Sequence, residues 1–423
     1  MLGSVFLVIR AGVLMASQLT IETVKEAAKR IRPYVAPSPV KYSVNLSKKM
    51  DQPVYLKLEN LNLSGSFKIR GAMNALLQVG PEELESGVIA ASAGNHAQGV
   101  AHTCRLLGTK ATIFMPIHSP IVKAAATREL GAEVVLTGNS YEEALGAALE
   151  RQKQTGALFL HGFNDERVIA GQGTVALELL EQVPDMGLVL TSIGGGGLAA
   201  GVALAIKESN ASIQVVGVQS TSFPAMKQSL SAGKMTEFST GYTIADGIAI
   251  KVPGSKNFEI LNSCIDDIVL VSEDEIASGV MNLMEWEHML AEGAGAAAVA
   301  ALWKISPQTF AKVQKRPIVC VVSGGNIDVN LLKRIIPIGL KHTGRLFRLA
   351  VMIQDRPGRL AELLNIVSQT GANLQDVTHN RLYNAVGFDD VEVILDIETI
   401  DNQHQDQVTQ SLTRQKFKYT KLG

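Results

Sequence analysis

The residue most suited to covalent chemistry is Lys68, which lies in the segment 64–71 (SGSFKIRG). The pattern predicts that a helix begins within this segment, so the lysine stands at a helix N-terminus. The helix dipole disfavours a cation there, and a lowered amine pKa is what Schiff-base chemistry requires of a lysine. Lys68 is therefore a candidate nucleophile, and an ordinary surface lysine is the alternative.

Two segments rich in small residues could bind anions. The first consists of Ser92, Ala93, Gly94, Asn95 and His96. The second consists of Gly194, Gly195, Gly196, Gly197 and Leu198. Each opens a predicted helix after a predicted strand, where free backbone N–H groups suit a carboxylate or a phosphate. We expect the first segment to bind a carboxylate and the second to bind a phosphate. The structural alternative for the first is that His96 is only a polar residue at the start of a helix. The alternative for the second is that its glycines only allow a strand and a helix to pack closely.

A dinucleotide site is a competing hypothesis, because residues 194–199 (GGGGLA) also satisfy the G-x-G-x-x-A motif. That interpretation requires an acidic residue at the end of the next strand, where Gln219 stands instead, and Glu208 comes too early. A second match at 171–176 (GQGTVA) has no apolar strand before it. The placement therefore disfavours NAD.

The elements that must position these segments alternate along the chain from residue 54. Strands are predicted at 54–58, 87–91, 111–115, 133–136, 158–161, 189–193, 214–218 and 317–322. Helices are predicted at 67–79, 97–107, 121–130, 141–154, 168–182 and 198–207. The strands are apolar throughout, as expected for a parallel sheet covered by helices on both faces. This pattern indicates an α/β doubly wound architecture, in which ligands bind at the carboxyl ends of the strands.

Ser323 completes the set, because it follows the predicted strand 317–322 and precedes Gly324, Gly325 and Asn326. A hydroxyl at a strand end can face a ring nitrogen, and it can also cap a turn. A pyridoxal phosphate (PLP) enzyme needs these four features together: a lysine nucleophile, a loop that binds phosphate, a loop that binds another anion, and such a serine.

In this order the segments resemble the threonine/serine dehydratases of the tryptophan-synthase-β-like PLP family, which has fold type II. The resemblance covers about residues 20–330. It implies two open twisted parallel-sheet domains within a catalytic region at 17–335, with a smaller subdomain at about 62–157 inserted in the larger one. It also implies β-elimination from L-threonine or L-serine, which gives 2-oxobutyrate or pyruvate and ammonia.

The resemblance implies roles for residues around the cofactor ring. Lys68 would bind PLP covalently and act as general base for the substrate Cα proton. Phe67 and Gly247 would pack on the two faces of the ring. Asn95 would hydrogen-bond the 3-hydroxyl group, and Ser323 would face the pyridine nitrogen.

Other implied roles concern the anionic groups and the reaction type. Residues 194–198 would hold the phosphate, residues 92–96 would receive the substrate carboxylate, and Glu292 matches a family acid near the cofactor. Because the neutral hydroxyl of Ser323 stabilises a protonated pyridine less than a carboxylate would, loss of a β-leaving group is favoured over transamination.

Two departures separate this chain from related enzymes. Serine racemases of the family carry a serine where this chain has Ala93, and alanine cannot exchange a proton, so racemase is the disfavoured alternative. Some relatives bind a divalent cation through carboxylates after the strand that ends at Val218. Gln219 and Ala225 occupy the matching positions here, and hard cations prefer charged oxygens, so no metal is expected.

The segment 345–423 has a different pattern. Strands are predicted at 346–353, 373–380 and 391–397 with a helix at 360–370, followed by a further helix and strand. This βαββαβ order is ferredoxin-like, and residues 355–360 (DRPGRL) resemble an ACT domain. The resemblance implies an amino-acid effector such as isoleucine or valine and a homo-oligomer, either a dimer or a tetramer. A dimerisation module without a ligand is the alternative.

Composition sets the remaining expectations. The chain has 423 residues, of which 46% are hydrophobic, and a net charge of −1, so neither a nucleic-acid partner nor an anionic membrane surface is expected. Three distant cysteines fit a reducing, cytoplasmic location. Residues 1–16 are mostly apolar, with Arg10 interrupting the run and no basic segment before them, and are interpreted as a dispensable extension. The uncharged run 186–206 contains four glycines, which predicts a buried strand, loop and helix instead of a membrane span.

Overall fold

The computed structural model describes residues 19–238, 241–313, 315–380 and 390–422. The segment 1–16 lies outside the described residues, so its interpretation as an extension stays a prediction. The boundaries proposed for the catalytic region, its subdomain and the C-terminal domain stay predictions as well.

The described residues contain three β-sheets and the helices that cover them. The strands are β1 (Val40–Tyr42), β2 (Val54–Leu58), β3 (Val88–Ala91), β4 (Ala111–Met115), β5 (Glu133–Leu136), β6 (Leu158–Phe159), β7 (Leu188–Ser192), β8 (Gln214–Ser220), β9 (Asp267–Val271), β10 (Ile318–Val322), β11 (Leu346–Gln354), β12 (Asn373–Asn380), β13 (Asp390–Glu398) and β14 (Lys418–Leu422). The helices are α1 (Ile21–Ile31), α2 (Val44–Met50), α3 (Lys68–Leu76), α4 (Pro81–Leu84), α5 (Asn95–Leu107), α6 (Ile121–Glu129), α7 (Tyr141–Thr155), α8 (Glu166–Gln182), α9 (Gly197–Ser209), α10 (Ala225–Ala232), α11 (Ser255–Cys264), α12 (Glu273–Glu287), α13 (Gly293–Ala300), α14 (Pro307–Val313), α15 (Val329–His342), α16 (Arg359–Gln369) and α17 (Asn402–Arg414).

The larger sheet has six strands in the order β1-β2-β10-β7-β8-β9. Every residue of β7 and β8 is buried, which explains why apolar residues follow one another in these strands instead of alternating with polar ones. Neighbouring strands are parallel except β1 and β2, which are antiparallel. The parallel sheet predicted from the sequence is confirmed, and the short edge strand β1 is a correction to it.

The smaller sheet has four parallel strands in the order β5-β4-β3-β6. All four lie between β2 and β7 in the sequence. The last is shorter than the predicted strand 158–161, because the His161 ring Nδ1 accepts hydrogen bonds from the Phe163 and Asn164 amides, at 3.2 and 3.0 Å, and turns the chain.

Close helix packing explains the glycine motif at 171–176, which lies in α8. A methyl group added at Gly171 would lie 2.5 Å from the carbonyl oxygen of Arg70 on α3. One added at Gly173 would lie 2.9 Å from the carbonyl oxygen of Gly201 on α9. These glycines let α8 pack between its two neighbours and have no connection with a dinucleotide.

The third sheet is antiparallel, with the order β12-β13-β11-β14. Together with α16 and α17 it forms the predicted βαββαβ ferredoxin-like unit, which has its own buried core around Leu349, Leu363 and Leu395. Arg345 precedes this unit, and its guanidinium donates to both carboxylate oxygens of Glu285 on α12 at 2.7 Å.

The uncharged run 186–206 forms β7, a glycine loop and most of α9, as the sequence predicts. Within the described ranges, none of the helices combines the length and the apolar character needed to cross a membrane.

Candidate active site

One cavity of about 280 Å³ lies where β3, β7 and β10 end, between the two parallel sheets. Every residue that the sequence singles out around the cofactor, the phosphate and the substrate lines it. These residues are Phe67, Lys68, Ser92, Ala93, Gly94, Asn95, His96, Gly194, Gly195, Gly196, Gly197, Leu198, Gly247 and Ser323. Segments that lie up to 256 residues apart in the sequence thus meet at one place, as strand-end loops do in open α/β sheets.

Lys68 is the first residue of α3, which begins one residue later than predicted and ends at Leu76. Its Nζ donates a hydrogen bond to the Gly162 carbonyl oxygen at 2.8 Å and lies 5.2 Å from the centre of the Phe67 ring. Burial lowers the pKa of this amine to about 8, although the Glu292 carboxylate opposes the shift. The amine can therefore lose its proton close to neutral pH, as a nucleophile or a general base must.

The helix that carries Lys68 is anchored by a buried network around Arg70. The guanidinium donates to both oxygens of Glu59 at 2.7 and 2.9 Å, and to both oxygens of Glu178 at 2.6 and 2.9 Å. A fifth hydrogen bond reaches the Thr174 hydroxyl at 3.1 Å. All five N–H donors of the arginine are therefore used, and α3 is fixed to α8 two residues beyond Lys68.

The backbone before Lys68 is bound to the segment that carries Ser323. The Phe67 amide donates to the Ser323 carbonyl oxygen at 3.1 Å, and Ser66 forms an isolated bridge with Gly324. The Ser323 hydroxyl is buried, donates to the Ala294 carbonyl oxygen at 3.3 Å and lies 3.2 Å from the Ser192 hydroxyl. The positions of the lysine and the serine are thus mutually determined by backbone contacts.

The glycine loop has no room for side chains. A methyl group at Gly195 would lie 2.4 Å from the Phe163 ring, and one at Gly194 would lie 3.0 Å from Ile248 Cα. Gly196 has φ of +102°, a left-handed conformation that favours glycine. Because the first amides of α9 lack intrahelical acceptors, the loop presents N–H donors to the cavity at a helix N-terminus, where an anion is stabilised.

Asn95 and Glu292 meet on another wall of the cavity. The Asn95 Nδ2 donates to Glu292 Oε1 at 2.5 Å, and its Oδ1 accepts a hydrogen bond from Asn326 at 2.8 Å. Burial, and then the Asp246 carboxylate, raise the pKa of Glu292 to about 7. The orientation of the Asn95 amide is therefore fixed, and a carboxyl group that titrates near neutrality lies directly behind it.

The loop 92–96 places small residues and a neutral imidazole at the cavity. Burial, and then the Lys68 ammonium, lower the pKa of His96 to about 3. Its Nε2 is 3.0 Å from the Leu160 carbonyl oxygen, which only accepts, so Nε2 carries the proton. A methyl group at Gly94 would meet no atom within 4 Å, so this side of the loop is open.

Four polar residues of the cavity wall are not predicted from the sequence: Lys123, Tyr141, Ser192 and Asp246. Lys123 and Tyr141 belong to helices of the smaller sheet, whereas Asp246 belongs to a short turn beside Gly247. Asp246 directly precedes Gly247, a predicted cofactor contact, and Ser192 lies in the predicted strand 189–193. The other two have no local signal, because their role depends on contacts between distant segments.

The positions considered for a divalent cation have internal roles. The Gln219 side chain accepts a hydrogen bond from the Lys227 amide at 2.9 Å and donates one to the Phe223 carbonyl oxygen at 3.1 Å. Ala225 is buried at the start of α10. In the part of the chain that the structure describes, histidine, cysteine and carboxylate side chains form no cluster of three suited to a metal ion.

The fold and the cavity are those of a PLP enzyme of fold type II, and comparison with known proteins agrees. The family model for pyridoxal-phosphate dependent enzymes matches residues 31–324, and the chain belongs to this family. The L-threonine ammonia-lyase of Thermotoga maritima is 44% identical over 406 residues, which are 96% of this chain and 100% of that protein.

Two solved structures are similar to about three quarters of the chain. The processed form of threonine deaminase isoform 2 from Solanum lycopersicum has a TM-score of 0.71 and 34% identity, covering 75% of this chain and 87% of that one. The maize serine racemase has a TM-score of 0.72 and 33% identity, covering 77% of this chain and 98% of that one. About a quarter of this chain thus has no counterpart in those two structures.

The cavity fits PLP on three observations. The Lys68 amine is buried with a pKa near 8, so it can react with an aldehyde. The loop 194–197 approaches its neighbours too closely for a Cβ at Gly195 and Gly196, and tightly at Gly194 and Gly197, which leaves a backbone cradle for a phosphate. A buried serine hydroxyl, Ser323, lies at the end of β10 beside these groups.

Proposed function

We propose that this chain is an L-threonine ammonia-lyase that also accepts L-serine. The observation that carries the proposal is the meeting of Lys68, the glycine loop and Ser323 in one cavity. The relative from Thermotoga maritima, an L-threonine ammonia-lyase aligned over nearly the whole chain, supports this substrate class. The net reaction converts L-threonine to 2-oxobutyrate and ammonia, and L-serine to pyruvate and ammonia.

When bound, PLP supplies the electron sink that makes the Cα proton of an amino acid acidic. Lys68 would hold the cofactor covalently, and the amides of Gly194–Gly197 and Leu198 would bind its phosphate. Phe67 and Gly247 would flank the ring. Asn95 would reach the 3-hydroxyl group, and Ser323 would reach the pyridine nitrogen.

Lys68 also provides the base of the reaction. Its Nζ would take the Cα proton of the bound amino acid. With a pKa of about 8, about one tenth of the free amine is neutral at pH 7, compared with less than one in a thousand at the usual lysine value. As a free amine, Lys68 donates a hydrogen bond to the carbonyl oxygen of Gly162, which also lines the cavity.

The loop 92–96 would bind the substrate carboxylate through backbone N–H groups at the start of α5. His96 is neutral and buried, so it adds shape and no charge to this wall. In net terms, the amino acid loses its Cα proton, by way of Lys68, and its β-hydroxyl, which together make one molecule of water, and it becomes an enamine. Hydrolysis of the enamine outside the protein gives the keto acid and ammonia, so one of each forms for every amino acid consumed.

A racemase is the second candidate, because a serine racemase is among the similar structures. Racemisation requires a second proton donor on the cavity wall opposite the base. Ala93 stands where the resemblance places the serine of racemases, and a methyl group cannot donate a proton. The chain is therefore proposed as a lyase with little racemase activity.

The C-terminal unit is proposed to bind an amino-acid effector near residues 355–360. Gly358 has φ of +88° and directly precedes α16, so the segment presents backbone donors at a helix N-terminus. The ion pair between Arg345 and Glu285 joins the unit to α12 of the catalytic region. ACT-like units commonly pair, so a dimer or tetramer is proposed, and a cytoplasmic location stays a prediction.

An end-point assay tests the proposed activity. Purified protein loaded with PLP is incubated with L-threonine, and 2-oxobutyrate and ammonia are both measured, with the Lys68→Ala variant as control. We expect equal amounts of the two products from the wild type and none from the variant. Absence of 2-oxobutyrate from PLP-loaded wild type would contradict the proposal.

A further inference from the structure

An ion pair crosses the cavity between elements that belong to different sheets. Lys123 lies on α6, which packs on β5 of the smaller sheet, and its Nζ donates to Asp246 Oδ2. Asp246 begins a short turn that contacts α13, next to the larger sheet. The Lys123 side chain is 12% exposed and the Asp246 side chain 51% exposed. The lysine is thus enclosed, whereas the aspartate faces solvent on one side.

Both members of this ion pair lie at the same wall as Glu292. Lys123, Asp246 and Glu292 line the reaction cavity, and all three also line a second cavity of about 240 Å³. Glu292 is fully buried, so its carboxyl group lies between the two spaces and has little contact with bulk water. The charge of Glu292 therefore depends on its neighbours.

The neighbours of Glu292 carry both signs of charge. The charged groups around it are Asp246 on the turn, Lys123 on α6 and Lys68 on α3, with Asp328 and Arg334 at the second cavity. The amide of Asn95 on α5 contacts it directly, and Asn326 and Asn330 line the second cavity. Asp246 disfavours a second negative charge, whereas Lys123 favours it. The two partners of the ion pair thus shift the pKa of Glu292 in opposite directions.

Asn95 connects Glu292 with the cofactor position. Its Nδ2 donates to Glu292 Oε1 at 2.5 Å, and the hydrogen bond from Asn326 fixes the amide orientation. A carboxylate attracts the Asn95 N–H group more strongly than a neutral carboxyl group does. Since Asn95 is the residue proposed to contact the ring hydroxyl, the protonation of Glu292 would affect the cofactor through Asn95.

We propose that Lys123 and Asp246 are positioning residues of opposite effect, which together set whether Glu292 holds a proton during catalysis. Lys123 favours the carboxylate and Asp246 favours the neutral acid. The ion pair keeps both charges beside Glu292 and joins the two sides of the cavity at that point. The inference rests on the proposed function, because it assigns residues that tune the same site.

The test compares Lys123→Met, Asp246→Asn and the double variant with the wild type. Visible absorbance of the bound cofactor is titrated with pH in the absence of substrate, and the pH profile of kcat/KM for L-threonine is measured separately. We expect the midpoint associated with Glu292 to rise by about one unit in Lys123→Met and to fall by about one unit in Asp246→Asn. The double variant should return close to the wild-type midpoint.

The opposite signs separate this role from a purely structural one. If the ion pair only held the two sides of the cavity together, both single variants would weaken cofactor or substrate binding in the same direction and leave the midpoint unchanged. That result, or a midpoint that persists in Glu292→Gln, would overturn the proposal. Asp246 is half exposed, so Asp246→Asn should fold normally. A downward shift of the midpoint in this variant therefore tests the proposal even if Lys123→Met is unstable.

A neighbouring ion pair provides the matched control. Lys251 Nζ lies 4.0 Å from Glu142 Oε1, and both side chains are exposed. Lys251 lines neither of the two cavities that Glu292 lines. Lys251→Met should therefore leave the midpoint unchanged, and a shift as large as that of Lys123→Met would also overturn the proposal. If the wild type binds PLP but does not deaminate threonine, the proposed function fails, while the absorbance titration still decides the role of the ion pair.

Discussion

Replacement of Gly195 by alanine should weaken cofactor binding without unfolding the protein. The added Cβ would lie 2.4 Å from Phe163 Cδ2, where ordinary contacts begin at 3.4 Å. Either the loop or the ring must therefore move by about 1 Å. Overpacking of this kind costs about 1–3 kcal/mol, which corresponds to a loss of about 5- to 150-fold in affinity for a ligand held by the loop amides.

The assay titrates dialysed apoprotein with PLP and follows the absorbance of the bound cofactor. Gly146→Ala is the matched control, because Gly146 lies within α7, has no positive φ, and its added methyl would meet nothing within 4 Å. The control should bind PLP as the wild type does and gain about 0.5–1 kcal/mol in stability. A Gly195→Ala protein with wild-type PLP affinity would refute the assignment of this loop to the phosphate.

The remaining predictions concern the base, the stereochemistry and the C-terminal unit. Because burial lowers the pKa of Lys68 to about 8, the rate at which apoprotein takes up PLP should rise with pH up to about 8 and then level off; a rate that still rises steeply above pH 9 would contradict a lowered pKa. With L-serine, chiral chromatography should show far less D-serine than pyruvate, and Ala93→Ser should increase D-serine; comparable D-serine and pyruvate from the wild type would mean that another residue donates the second proton. Truncation after Arg345 should keep PLP binding and turnover but abolish an effector response worth about 1–3 kcal/mol; identical responses of full-length and truncated protein to branched-chain and hydroxy amino acids would make the unit structural.

The parts of the site that the sequence predicts are those encoded locally. The glycines at 194–197 and Ser323 follow apolar strands directly, so a local pattern places them at the same edge of a parallel sheet. The boundaries of β2, β4, β5 and β12 also agree with the predicted strands. In each case the pattern and the fold depend on the same few consecutive residues.

The parts that the sequence does not predict depend on contacts between distant segments. Lys123 and Asp246 are 123 positions apart, and neither alone differs from a surface charge. Arg70 lies in the segment 64–71 together with Lys68, but its partner Glu178 lies 108 residues further on. Edge strand β1 has three residues, too few to show a period, and it pairs with β2 only through tertiary structure.

The most direct measurement of the central claim, that Lys68 holds the cofactor in this cavity, is chemical fixation followed by peptide mapping. PLP-loaded protein is reduced with borohydride, digested and examined by mass spectrometry for a phosphopyridoxyl label. Lys68 and Lys123 are the lysines that line the cavity among the described residues, so they are the alternatives that the mapping must separate. We predict the label on the peptide that contains Lys68; a label on Lys123, or on any other lysine, would contradict the assignment.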